Sequence, residues 1–124
     1  MKIATDIEQS KKLAEVLPIE SADMWYQHIG YSIVNGTEKL RYFPMVIRDC
    51  VSDEDIPCWS LSALLDVLPD EVGDNHYLTL DKEGKEYCCC YEDCNGNSLR
   101  HCFSDNPVNA CYEMILKLKE KNLI

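Results

Sequence analysis

Apolar residues along this chain fall into two rhythms, one of helical and one of strand spacing, and the switches between them outline eight elements. The clearest is Leu61, Leu64, Leu65 and Leu68 at i, i+3, i+4 and i+7, which predicts a helix with Ser60 as its N-cap and Pro69 as its stop. Near the start, Thr5 followed three residues later by Glu8 reads as a capping box. It opens a helix carrying Ile7, Leu13, Ala14 and Leu17, which Pro18 ends. A third helix is predicted from Pro107, capped by Asp105 or Asn106. It buries Val108, Cys111, Ile115 and Leu118 and ends in Lys117, Lys119 and Lys121, whose charges complement the helix dipole.

Between the helices the pattern turns β-branched and aromatic. Asn35-Gly36 predicts a type I′ turn joining strands over Tyr31 to Val34 and Leu40 to Phe43, with Pro44 marking an edge strand or a strand end. His76 to Leu80 and Glu86 to Tyr91 read as strands joined through Gly84, and Asn95-Gly96 leads into a strand over Ser98 to Phe103. The expected fold is α+β in the order α-β-β-α-β-β-β-α. An antiparallel sheet of about five strands, in two hairpin units, carries three helices on one face. Without repeat or linker, and at 124 residues, the chain is expected to form a single domain over 1–124 with one core.

Composition narrows the setting. Apolar residues at 46% and charged residues at 27% describe a folded chain. No stretch reaches the ~20 consecutive apolar residues of a membrane-spanning helix, and Met1 to Ser10 lacks the apolar core of a signal peptide. A cytoplasmic location follows as the expectation, with the eight cysteines reduced. The net charge of −10 and the lack of a basic cluster speak against nucleic-acid binding. Between Asp49 and Asp81 there is no Lys or Arg, while Asp49, Asp53, Glu54, Asp55, Asp66, Asp70, Glu71, Asp74 and Asp81 all fall there. Such a run reads as a solvated face or as a docking surface for a basic protein. Asp53, Glu54 and Asp55 lack the spacing of a calcium loop.

The cysteines supply the candidate chemistry. A two-residue Asn95-Gly96 loop sets Cys88 opposite Phe103, Cys89 opposite Cys102, Cys90 opposite His101 and Tyr91 opposite Arg100. Cys88, Cys90, Leu99, His101 and Phe103 then share one face, and Tyr87, Cys89, Tyr91, Arg100 and Cys102 the other. Cys88, Cys90, Cys94 and His101 are the candidate zinc ligands by residue type. Strand neighbours two residues apart stand about 6.6 to 6.8 Å from each other, whereas sulfurs sharing a zinc need to lie within about 4 Å; no Cys-x-x-Cys occurs. The plain alternative makes Cys88 and Cys90 small core residues beside Leu99 and Phe103. Cys89 and Cys102 face each other closely enough for a reducible disulfide, with a reduced pair expected in the cytoplasm. His101 reads as a packed residue, with His28 and His76 weaker candidates still. Cys58, near a helix start, or a hairpin cysteine is the candidate nucleophile of a thiol enzyme. Met24, Trp25, Tyr26, Tyr31, Tyr42 and Phe43 read as an aromatic run divided between core and recognition surface.

Three segments carry a resemblance: Ser21-Ala22-Asp23-Met24-Trp25-Tyr26, the run from Ile56 through Trp59-Ser60-Leu61-Ser62-Ala63-Leu64-Leu65, and the ending Asp105-Asn106-Pro107-Val108 to Met114. From Ile7 to Leu118 the chain resembles a family of small uncharacterised proteins encoded by phages and other mobile elements of gut anaerobic bacteria. The resemblance implies a bacterial cytoplasmic setting and a mobile-element origin, with no established activity, cofactor or catalytic residues to carry over, and the cysteine cluster is no part of the family pattern. The functional expectation is a non-enzymatic accessory protein of a mobile element that binds a host or element-encoded protein. A metal or redox module built on the cysteine hairpin and a small thiol enzyme are the alternatives.

Overall fold

The computed structural model describes residues 2–124. Helix α1 spans Ile7–Val16, followed by a single 3₁₀ turn over Ile19–Ser21; β1 (Met24–Val34) and β2 (Thr37–Ile47) form the first hairpin, and β3 covers Ile56–Cys58. After α2 (Leu61–Val67) come β4 (Glu71–Val72), β5 (His76–Glu83), β6 (Glu86–Glu92), β7 (Ser98–Ser104) and α3 (Pro107–Glu120). The fold is α+β with the expected order of the main elements. It holds seven strands in two antiparallel sheets, ordered β2-β1-β3 and β4-β5-β6-β7, where about five strands in one sheet were expected. The two extra strands are short, and one contains Pro57, so neither shows as an alternating run.

Ser60 caps α2, its hydroxyl accepting from the Ala63 N–H, and Asn106 caps α3 with Pro107 in the first turn. The capping box of α1 lies one residue beyond the expected place: Asp6 accepts from the Gln9 N–H, and the Gln9 side chain accepts from the Asp6 N–H. Thr5 has another task. It is fully buried, its hydroxyl accepting from the Trp59 N–H and bonding to Ser10, so it ties the chain start to the end of β3.

The main core gathers Leu13 of α1, Trp59, Leu64 and Leu68 around α2, Cys89 and Tyr91 of β6, Cys102 of β7, and Val108, Cys111, Met114, Ile115 and Leu118 of α3. A second, smaller cluster of Ala4, Tyr26, Ile56 and Cys58 closes the root of the first hairpin. The expected single core is therefore one large cluster and one small one, each beneath its own sheet.

Candidate functional site

The first hairpin is long and mostly uncovered. Asn35 and Gly36 both take positive φ, 53° and 78°, and Val34 pairs with Thr37, giving the two-residue turn the sequence predicts. Only Met24, Trp25 and Tyr26 of β1 find a third strand, pairing with Cys58, Pro57 and Ile56. Beyond that root the two strands run on alone as an arm, and register shifts flank His28. Such irregularities bend a ribbon and raise its twist, and Gly30, at φ 134°, supplies the backbone freedom one of them needs.

Apolar side chains on the arm have little to pack against. Ile29, Tyr31, Ile33, Val34, Leu40, Phe43 and Met45 are all exposed, Ile33 to 76% and Met45 to 77%. They are half of the chain's fourteen large exposed apolar residues among those described. The aromatic run thus divides: Tyr26 is buried, Trp25 and Tyr42 partly so, and Tyr31 and Phe43 face outward. Lys39 and Arg41 accompany Glu38 on this arm, in contrast to the cation-free segment that follows.

That acidic segment returns from the arm's root and clamps it. Asp55 is buried and accepts from the backbone N–H groups of His28 (2.8 Å), Val51 (2.7 Å) and Ser52 (3.1 Å), and from the Ser52 hydroxyl at 3.1 Å. Burial raises its pKa, but the hydrogen bonds outweigh burial and hold the carboxyl below the ordinary aspartate range. Glu54 beside it accepts from Tyr31 at 3.1 Å and lies 3.0 Å from His28 Nδ1, while the rings of Tyr31 and Tyr42 stand edge-on to the imidazole. Tyr31 is raised by its hydrogen bond to Glu54 and by that carboxylate's charge, and Tyr42 by burial and then by Glu54 and Asp55. The other eight carboxylates of the segment are exposed, as a solvated face would be. Sequence reading ranked His28 low because its partner lies 26 positions away, beyond any local spacing rule.

The cysteine hairpin has the predicted register: Cys88 with Phe103, Cys89 with Cys102, Cys90 with His101 and Tyr91 with Arg100. Its turn differs. A register shift lies between Tyr91 and Glu92, and Asp93 organises a longer loop by accepting from the Asn95 and Asn97 N–H groups, both at 2.9 Å. The faces fall opposite to the expected packing. Cys89, Tyr91 and Cys102 enter the main core, while Leu99, His101 and Phe103 are exposed, with His101 stacked edge-on against Phe103. Cys88 and Cys90 are nevertheless buried, small side chains on a strand flanked on both sides.

The four proposed zinc ligands do not converge. Cys94 is exposed in the loop, and the group of ligand atoms that comes together among the described residues is Asp81, Cys90 and Glu92, all within 4.8 Å of one another. Thr79 knits it: its hydroxyl donates to Glu92 at 3.1 Å and lies 2.9 Å from the Cys90 sulfur. Cys90 is raised by burial, with Thr79 and Cys88 pulling down and Glu92 pushing up. Cys88 is pushed up to about 12 by burial, then by Cys90 and nearby acids. These thiols hold their protons.

Cys58 is the reverse of an activated nucleophile. It is fully buried, and burial followed by the Asp23 charge pushes it up to about 12. Cys89 and Cys102 are both free thiols. The Cys89 thiol hydrogen-bonds to Cys111 of α3, which together with burial raises its pKa. An open recess of about 560 Å³ beside β7 and α3 is lined in part by His101 and Cys102. Adjacent strand residues point to opposite faces, and burial raises Cys102 although the Lys117 ammonium draws it down. Comparison with protein families, curated proteins and solved structures finds no match to this chain. Among the described residues no helix is long and apolar enough to cross a membrane.

Proposed function

We propose that this chain acts by binding another protein through the arm formed by β1 and β2, as an accessory protein of a mobile element, and that it has no catalytic centre. The observation that carries the reading is the set of seven exposed apolar side chains on a two-stranded ribbon that, among the described residues, no third strand joins beyond its root. Exposed apolar surface of this kind is the usual mark of an interaction site, since covering it returns ~25 cal/mol per Å². A lone two-stranded hairpin is also marginal in water, so a partner stabilises the arm it covers. Lys39 and Pro44 on the edge strand β2 discourage a further strand from adding there. The mobile-element setting rests on the sequence resemblance.

Affinity capture from host lysate with the wild-type chain and an Ile33→Ser/Met45→Ser variant tests the reading. The wild type retains a protein that the variant loses; identical retention by both removes the arm from the interface.

A second reading, a metal module on the cysteine sheet, is favoured by the closeness of Asp81, Cys90 and Glu92. Ligation there deprotonates a thiol whose pKa is raised. Native mass spectrometry after incubation with zinc decides it: one added zinc abolished by Cys90→Ser supports a site, and the bare chain mass removes it.

A further inference from the structure

Arg100 is anomalous in this protein. It lies on β7, the edge strand of the larger sheet, in a chain with 22 acidic and 12 basic residues. Among the described residues it makes no ion pair and no side-chain hydrogen bond, and its Nε is buried without a partner. An arginine in a chain with an excess of carboxylates is ordinarily paired, and a buried guanidinium N–H without an acceptor forfeits its hydration for nothing. Glu120 lines the same recess as Arg100 and still forms no ion pair with it.

The neighbours point the same way. A recess of about 300 Å³ is bounded by Ser98, Arg100 and His101 on β7 and by Lys117, Glu120 and Lys121 from the end of α3. Three cations meet one carboxylate here, a local reversal of the chain's sign. Lys117 already donates to the His101 carbonyl at 3.1 Å, which fixes its ammonium beside the strand. A guanidinium offers donors in a fixed fork that matches two oxygens of one anionic group, and flanking ammonium groups add charge from the side.

We propose that this recess is an oxyanion site, in which Arg100, Lys117 and Lys121 receive a carboxylate or a phosphate group. It is separate from the arm and does not depend on the function proposed for it.

The chain contains three arginines, Arg41, Arg48 and Arg100, and the first two are exposed. Their Nε–H resonances in the ¹⁵N-labelled protein serve as internal controls. Inorganic phosphate and succinate are titrated separately at constant ionic strength. The Arg100 Nε–H signal shifts to saturation with a dissociation constant near or below about 1 mM, while those of Arg41 and Arg48 drift without saturating. Saturation by phosphate alone assigns a phosphoryl ligand, by succinate alone a carboxylate, and by both a general oxyanion site. Lys121→Gln, at an exposed position, weakens the binding about tenfold. An Arg100 signal that drifts with those of Arg41 and Arg48 in both titrations overturns the proposal, as does unchanged affinity in Lys121→Gln.

Discussion

Two hairpins of this protein carry aromatic side chains on paired antiparallel strands and meet opposite fates. Both pair antiparallel strands that carry aromatic and sulfur-bearing residues around Asn-Gly sequences, and the first hairpin adds β-branched residues that β6 and β7 lack. The β6–β7 hairpin lies under α3, so one of its faces, with Cys89, Tyr91 and Cys102, becomes part of the main core. The β1–β2 hairpin is held only at its root, by β3 and by the Asp55 clamp, and its apolar side chains stay in water. What separates the packed sheet from the exposed arm here is the cover. Hydrophobic side chains contribute to stability where something packs on them and remain available to a partner where nothing does.

Thiol reactivity is where the contrast is largest. Cys50, on the return loop from the arm, is exposed, whereas Cys88 in the sheet is buried and pushed up to about 12. Against a free thiol near 8.5, that reduces the reactive thiolate about a thousandfold or more at pH 8. Timed alkylation read by mass spectrometry labels Cys50 and Cys94 first. Equal rates at Cys50 and Cys88 break the comparison.

Side-chain truncation gives the next contrast. Tyr91 is fully buried and its hydroxyl donates to the Pro69 carbonyl at 2.7 Å, so Tyr91→Ala costs ~3–5 kcal/mol in urea unfolding. Ile33→Ala on the arm changes stability by about 0.5 kcal/mol or less. A large loss at Ile33 means that the arm packs on something within the protein itself.

The clamp falls between these limits. Asp55→Ala strips four hydrogen bonds from one carboxylate and costs ~2–3 kcal/mol, felt at the arm's root. The folded pKa of Asp55 lies below its unfolded value of about 3.9. Its contribution is therefore complete above that unfolded value and drains away as pH falls through the lower folded one. Stability curves of wild type and Asp55→Ala converge in acid; a constant gap down to pH 2 contradicts the clamp.

Much of the framework was legible because it is local. The leucine spacing of α2 with Ser60, the turn at Asn35-Gly36 and the α3 start at Asn106-Pro107 each depend on a few neighbouring residues. The register from Cys88 to Phe103 was also legible, although the loop beyond it is longer than assumed. Legibility failed where distant partners decide. The capping box moved from Thr5 to Asp6 because Thr5 is claimed by Trp59, 54 positions away. On the cysteine hairpin both faces are comparably apolar, so alternation could sort the side chains without saying which face the helices cover. β3 and β4, three and two residues long, exist through pairing and leave no periodic trace. The His28–Glu54 pair and the Asp55 clamp join segments that only the folded hairpin brings together.

The arm's role is tested most directly by site-specific photo-crosslinking. The crosslinking residue replaces Ile33 near the tip of the first hairpin, or Glu86 beside the turn between β5 and β6, in chains expressed in cells of the proposed host. The account predicts one discrete crosslinked protein from position 33 and none from position 86. A crosslink from position 86 alone, or none from position 33 in folded protein, contradicts it.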